Sequence, residues 1–159
     1  MAEITCISES DIGRISSIVF GSSSELNSVV EIRQSQGENP RIIGCNWNLS
    51  YIVSLAGHDQ KYVFRFNRQR YDRDDAALLT EQEHNALIAS RTPIPVPRIH
   101  HVDVSRTVVE TGFIVMDFMP GDSWRFLLHP QNKSTSPAEK QQIASRFGQA
   151  TAQLHCITR

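Results

Sequence analysis

Arg65 is the residue whose type and position in this sequence most clearly suggest chemistry. It lies in residues 62–66, a strand pattern that alternates between three aromatic residues on one face and Val63 and Arg65 on the other. A guanidinium group that shares a strand face with Val63 needs an anionic partner or a route to water. The pattern therefore predicts an ion pair, a bound anion or an exit to solvent at this position.

Residues 44–67 surround this cation with a characteristic local arrangement. Residues 49–55 are rich in β-branched and aromatic residues and predict a strand, and residues 56–60 form a short connection that contains Gly57. Two such strands around a short Gly-containing connection predict an antiparallel hairpin. The hairpin follows a polar loop that starts at Gly44. The combination resembles the way in which a kinase-type small lobe holds nucleotide phosphates.

A second candidate group lies on a predicted helix from about residue 76 to residue 90, which Asp74 or Asp75 could start. Its 3.6-residue period places one carboxylate, that of Glu83, among residues of the inward face. The alternative is that Glu83 is a surface residue at the edge of the apolar stripe, and the helix alone favours this alternative. The residues near this face are Leu79, Glu83, Ala86, Leu87 and Ser90.

Other elements surround the hairpin. Ser8 or Ser10 could cap a helix over residues 11–20, with Ile12, Ile15, Ile18 and Val19 on one side. Residues 29–32 are either a short strand or a helix end, and residues 41–43 predict a strand into the Gly44 turn. Prolines at every second position of residues 93–97 predict an extended connector. A strand over residues 99–103 follows.

The last part of the chain contains a buried strand and a long helix. The continuous apolar run of residues 113–116 predicts a strand covered on both faces, which ends at the Pro120-Gly121 turn. Ser136 and Glu139 form a capping-box sequence with proline at the first helical position. The following helix carries an apolar stripe that needs a partner and could support self-association: Ile143, Phe147, Ala150 and Leu154.

Composition limits the possible functions. The chain has 159 residues, 40% of them hydrophobic, which is enough for one ordinary core. A net charge of −1 gives no general electrostatic basis for binding nucleic acid or membranes. The three cysteines have no paired spacing, and the sequence shows neither a signal peptide nor an apolar run of membrane-spanning length. We therefore expect a cytoplasmic protein with reduced thiols.

Together these pieces resemble the amino-terminal lobe of the aminoglycoside phosphotransferase family, which is related to choline kinases. The similarity covers roughly residues 11–157. It implies an α+β fold: a protein-kinase-like small lobe of antiparallel sheet and one packed helix, a hinge, and the first long helix of an incomplete large lobe. The expected boundaries are 1–119 for the nucleotide-binding lobe and 120–159 for the hinge exit and that helix.

The resemblance also implies roles for individual residues. Gly44 and Asn48 match the phosphate loop of the family, in which Cys45 and Trp47 replace a usual glycine and serine. Arg65 stands where protein kinases have a phosphate-binding lysine, and Glu83 matches the helix glutamate that pairs with that cation. Met116 is the expected gatekeeper beside the adenine. The backbone carbonyl of Asp117 and the N–H of Met119 would bind the adenine edge.

The catalytic part of a kinase is not recognisable in this sequence. Phosphoryl transfer needs an aspartate base, with an asparagine and a further aspartate for magnesium, and no aspartate here is followed five positions later by asparagine. His101-Val102-Asp103 and Asp117-Phe118-Met119 imitate such motifs but lie too early in the chain. No catalytic or metal-binding residue is therefore assigned.

Two interpretations remain open. The chain is either the ATP-binding half of a small-molecule phosphotransferase, which transfers the γ-phosphate only when the missing lobe is supplied, or a non-catalytic kinase-like binding or regulatory protein. ATP is the expected cofactor, with Mg²⁺ only in a complete enzyme. The expected partners are the nucleotide and, in the complete enzyme, a small-molecule acceptor that the sequence does not identify.

Overall fold

The computed structural model describes residues 6–22, 24–32, 48–68, 75–122, 127–128 and 133–157. Helices and strands mix along these ranges, which confirms the predicted α+β class. In chain order the elements are α1 (Glu9–Phe20), β1 (Leu26–Glu31), β2 (Asn48–Leu55), β3 (Lys61–Asn67), α2 (Ala76–Arg91), β4 (Ile99–Asp103), β5 (Phe113–Asp117) and α3 (Pro137–Ile157).

The five strands form one antiparallel sheet in the order β1-β2-β3-β5-β4. The predicted hairpin is β2–β3, in which Tyr51 pairs with Phe64 and Ile52 with Val63. Gly57 in its turn has a φ of 76°, a conformation that glycine adopts at little cost. The sequence left open whether residues 29–32 form a strand or a helix end. The structure shows that residues 29–31 belong to strand β1. The strand predicted over residues 41–43 lies outside the described residues.

One face of the sheet packs against α1. The side chain of Ser8 caps this helix by accepting a hydrogen bond from the Asp11 N–H at 3.1 Å. Ile12 and Ile15 are fully buried among the aromatic residues of β2 and β3. Ile18, predicted to share their side, is instead exposed. The predicted stripe was therefore too wide.

The opposite face of the sheet carries a smaller cluster in which Leu78 of α2 packs with Ile114 and Met116 of β5. The neighbouring residues Phe113 and Val115 belong to the cluster on the α1 side. Because successive residues of a strand point to opposite faces, β5 is buried on both sides. This confirms the prediction from its continuous apolar sequence.

Helix α2 has nearly the predicted bounds, but the prediction of its inward face was wrong. Leu79 and Leu87 are 41% and 38% exposed, and Glu83 is exposed as well. Leu78 is buried instead, and the half-buried residues Glu81, Asn85 and Ile88 follow it at helical spacing. The helix is thus rotated so that Leu78 and Ile88, with Glu81 and Asn85 between them, face the sheet.

Helix α3 contacts α2, and none of its described residues is fully buried. Of its predicted stripe, Phe147 is exposed, while Ile143, Ala150 and Leu154 are half-buried. Across the described ranges, no helix combines the length and the apolar character that crossing a lipid bilayer requires.

The predicted capping box at the start of α3 is present. The N–H of Ser136 donates to the Glu139 carboxylate at 2.8 Å, and the N–H of Glu139 donates to the Ser136 hydroxyl at 3.3 Å. Hydrogen bonding by the Ser136 side chain, and then by its backbone N–H, lowers the pKa of Glu139 below the ordinary value of 4.5. The ionised carboxylate therefore stabilises the first turn of α3.

We predict that this stabilisation is complete above the ordinary glutamate pKa and is lost as the pH falls through the lowered pKa of the folded state, because the proton binds more tightly to the unfolded chain. An NMR pH titration of the Ser136 amide would follow the protonation of Glu139. The Ser136→Ala variant should shift the midpoint upwards. Equal midpoints in the two proteins would contradict a capping box that includes the hydroxyl.

Candidate functional site

The candidate site is built on the sheet face that also carries Leu78 of α2. Cross-strand pairing aligns Val30, Ile52, Val63 and Met116 in one apolar row. The neighbouring row contains Ser50, Arg65 and Ile114. Residues that pair across antiparallel strands share a face, and rows two residues apart are separated by about 7 Å. An apolar strip therefore lies directly beside a cation.

Arg65 is held by an ion pair with helix α2. Its Nη2 donates a hydrogen bond to the carboxylate of Glu81, and the two side chains are 19% and 36% exposed. A partly buried guanidinium on an apolar face gains its counter-charge from the helix packed on that face. The sequence thus predicted the need for an anion correctly.

The predicted partner of Arg65, Glu83, was wrong. Each residue advances a helix by about 100°, so that Glu83 lies roughly 200° around α2 from Glu81. With Leu78 and Glu81 turned towards the sheet, Glu83 is turned away and is exposed. The error follows directly from the rotated helix face.

The Nε atom of Arg65 is buried and has no hydrogen-bond partner among the described residues. The same is true of Oδ1 of Asn48. Asn48 begins β2 and shares the Arg65 face, because Ser50, two residues on, pairs with Arg65. A rotation of the Asn48 amide group by about 180° would place its Nδ2 donor where Oδ1 now lies. Gly44, the other predicted phosphate-loop residue, lies outside the described residues.

The predicted hinge leaves the end of β5. The N–H of Asp117 donates to the Arg98 carbonyl at 2.9 Å, and the N–H of Phe118 donates to the Lys61 carbonyl at 3.0 Å. Neither bond involves the Asp117 carbonyl or the Met119 N–H, which are the groups predicted to bind adenine. Met116 is buried at the end of the apolar row, whereas Met119 is exposed.

The side chain of Asp117 fixes this hinge from the α1 side. Its Oδ1 lies 2.6 Å from Nε2 of His100 and accepts a hydrogen bond from Nε2 of Gln60 at 3.1 Å. The His100 ring packs against Tyr62 and Phe20. The hinge backbone is thereby tied to β4, to the β2–β3 turn and to the end of α1.

The chemistry of these residues limits what the site can bind. The apolar row offers a surface for a flat base, and the buried Nε of Arg65 is a donor that an anionic oxygen would satisfy. Within the described ranges, no group of three His, Cys, Asp or Glu side chains is arranged to hold a metal ion. The described residues thus combine an apolar surface with the hydrogen-bond donor of a cation, and they assign no metal ligand.

Sequence reasoning missed three members of this site: Val30, Ile52 and Glu81. Val30 joins the row only because β1 pairs with β2, and the short run that contains it did not reveal a strand. Ile52 is apolar and half-buried, but its position opposite Val63 becomes known only from the strand register. The signal for Glu81 was the 3-4-3 spacing of Leu78, Glu81, Asn85 and Ile88, which the more numerous leucines of the other face obscured.

Comparison with known proteins gives a family match and a structural match. The family model described as the phosphotransferase enzyme family (APH) matches residues 46–159. The fold resembles the crystal structure of a provisionally named aminoglycoside phosphotransferase from Ralstonia eutropha JMP134, with a TM-score of 0.53 and 20% sequence identity. This similarity covers 84% of the present chain and 33% of the other protein, so that the chain spans about a third of that protein's length. No curated protein matches the chain.

We predict that Arg65 is energetically coupled to Glu81 and not to Glu83. A double-mutant cycle with Arg65→Gln and Glu81→Gln, measured by urea unfolding, should give a coupling free energy of about 0.5–1 kcal/mol, because the pair is partly exposed.

The matched cycle with Glu83→Gln should give a coupling near zero, since both glutamates lie on the same helix and lose the same charge. A larger coupling to Glu83 than to Glu81 would show that the face assigned to α2 is incorrect.

Proposed function

Because the chain belongs to the phosphotransferase enzyme family, we propose that it is the ATP-binding half of a kinase-like, small-molecule phosphotransferase. The observation that carries this proposal is the state of Arg65. Its guanidinium is oriented by Glu81 through Nη2, while its buried Nε lacks a partner beside an apolar row. An oriented cation with a free donor is suited to a phosphate.

The apolar row supports the placement of the base. In the proposed complex the adenine lies against Ile52 and Val63, with Met116 at its inner end. The Asp117 carbonyl accepts a hydrogen bond from the adenine edge, and the Met119 N–H donates one. The bonds that hold Asp117 and Phe118 to Arg98 and Lys61 keep this backbone in place.

The phosphate end is assigned to the neighbouring row. Arg65 donates to phosphate oxygens through Nε, and Glu81 keeps the guanidinium plane from turning away. Asn48 shares this face, and we propose that backbone N–H groups near Gly44, which precedes β2 in the sequence, approach the phosphates. Bound ATP supplies the γ-phosphoryl group, and Mg²⁺ in the complete enzyme offsets its charge.

Transfer to an acceptor needs groups that this sequence does not contain in recognisable form. We propose that a catalytic lobe supplies the aspartate base, the metal ligands and the binding site for a hydroxyl-bearing small molecule. The absence of the catalytic-loop pattern from the sequence favours a second candidate function, that of a non-catalytic kinase-like regulatory protein. The two candidates share the nucleotide site and differ only in turnover.

The proposal also includes the cellular setting. The unpaired spacing of Cys6, Cys45 and Cys156 fits reduced thiols, and we propose a cytoplasmic location with no nucleic-acid or membrane partner. Self-association through α3 is proposed from the exposed Phe147 on its apolar stripe.

We predict that the 159-residue chain binds a fluorescent ATP analogue and that Arg65→Met weakens this binding about tenfold or more, the effect of losing a hydrogen bond to a charged group. The matched control is Arg14→Met, which removes an exposed arginine from α1 on the other side of the sheet. Fluorescence titration gives both dissociation constants.

In the same titration Met116→Phe should weaken binding by narrowing the end of the apolar row, whereas Ile18→Phe on the exposed side of α1 should not. Equal affinity of the Met116→Phe and Ile18→Phe variants would remove the hinge assignment. Equal affinity of the two arginine variants would remove the phosphate assignment.

We further predict that this chain alone releases no ADP from ATP in the presence of aminoglycosides, choline or sugars at millimolar magnesium. Positioning accelerates a reaction only when both reactants are held, and the proposal assigns only the nucleotide to this chain. A coupled ADP assay against a boiled control tests this. Acceptor-dependent ADP release that disappears in Arg65→Met would mean that the catalytic residues lie in this sequence after all.

A further inference from the structure

Asp75 stands at the start of α2 but does not perform the usual task of an aspartate there. Its carboxylate makes no capping hydrogen bond to an N–H group of the first turn. The carboxylate is instead buried, with its side chain only 6% exposed. A buried charge is retained at a cost, so the contacts that compensate for it indicate what it does.

Three donors surround the Asp75 carboxylate. Nδ2 of Asn67, at the end of β3, donates to Oδ1 at 2.7 Å. Nε of Arg106 donates to Oδ2 at 2.7 Å, and the N–H of Gly112 donates to the same oxygen at 3.2 Å. Arg106 and Gly112 lie in the connection between β4 and β5. The start of α2 is thereby joined to the end of β3 and to the connection between β4 and β5.

The backbone around the carboxylate is shaped to admit it. A Cβ atom added to Gly112 would lie 2.5 Å from Cγ of Asp75, so that no other residue fits at position 112 without displacing the carboxylate. Arg106 has a φ of 60°, a left-handed conformation that costs a non-glycine residue about 1 kcal/mol or more. The residues with these two backbone features, Gly112 and Arg106, each donate a hydrogen bond to Oδ2 of Asp75.

Asp75 and Glu81 together form two polar connections between the same helix and the same strand. The first joins Asp75 to Asn67, and the second joins Glu81 to Arg65. The two acceptors are six residues apart on α2, about 9 Å along the helix axis, and the two donors are two residues apart on β3, about 7 Å. Two separated connections fix both the height and the rotation of a helix, which one connection cannot do.

We propose that Asp75 is a positioning residue for nucleotide binding: by fixing the start of α2 on β3 it sets the helix rotation at which Glu81 meets Arg65. This inference rests on the proposed function for its consequence, the orientation of the phosphate-binding guanidinium. Its structural part, the coupling of Asp75 to the Arg65–Glu81 pair, stands on the contacts alone. Asp75 itself touches neither the base nor the phosphates in this proposal.

The experiment uses a polarity swap in the 159-residue chain. In Asp75→Asn, one oxygen still accepts from Arg106 and Gly112, but the new amide nitrogen faces the amide nitrogen of Asn67. Adding Asn67→Asp gives that nitrogen an acceptor, so the double variant restores the bond in reverse with the original net charge. The matched control is Thr111→Val, which removes the buried bond from the Thr111 hydroxyl to the Asn67 carbonyl and leaves the carboxylate untouched.

Two readouts are taken for each variant. The NMR signal of the Arg65 Nε–H group reports on the guanidinium in the absence of nucleotide, and titration with a fluorescent ATP analogue reports on binding. We expect Asp75→Asn to shift the Arg65 signal towards that of Glu81→Gln and to weaken binding about tenfold, as for coupled neighbouring residues. The double variant should return both values towards those of the parent chain, and Thr111→Val should leave both unchanged.

The outcomes separate this inference from the proposed function. An Arg65 signal that Asp75→Asn leaves unchanged would overturn the inference, as would a change that the double variant fails to reverse or that Thr111→Val reproduces. If the parent chain binds no nucleotide, the proposed function fails, and the Arg65 signal alone still decides whether Asp75 positions the pair. Should Asp75→Asn fail to fold, Gly112→Ala displaces the same carboxylate without changing any charge and must shift the same signal.

Discussion

The ion pair between Arg65 and Glu81 is the interaction on which the rest of the site depends. A cation on an apolar sheet face must be compensated by a nearby anion, and among the described residues α2 packs on that face and supplies Glu81. To compensate the charge of Arg65, the helix turns Glu81 and Leu78 towards the sheet. Leu79 and Leu87 are then left partly exposed. A polar contact thus decides the rotation of a helix whose apolar pattern favours a different face.

The sheet provides the frame that makes this possible. Because α1 buries one face, the aromatic residues of β2 and β3 stabilise the hairpin without using the opposite side. In the described part of the chain, the opposite side carries the apolar row, Arg65 and helix α2. The Asp75 contacts anchor that helix at the residue before its first turn, and Glu81 lies about 1.7 turns further along.

The sequence predicted the hairpin, the buried β5 strand and the bounds of α2 because each has a clear period or a distinct boundary. It did not predict the partner of Arg65. Periodicity counts apolar residues, and it selected the face with Leu79 and Leu87, whereas the fold is decided by contacts with Asn67 and Arg65 that are distant in sequence. Val30 and Ile52 were missed for a related reason, since a cross-strand row exists only after the register is known.

The central claim is that a nucleotide occupies this sheet face, with its base at the hinge and its phosphates at Arg65. The most direct measurement is a map of backbone amide shifts by ¹⁵N–¹H NMR as ATP is added to the 159-residue chain. The account predicts the largest shifts at Met119, at Ser50 and Ile52 of β2, and at Val63 and Arg65 of β3, with little change along α1. Shifts concentrated on α1 or α3, with these amides unmoved at saturating ATP, would contradict it.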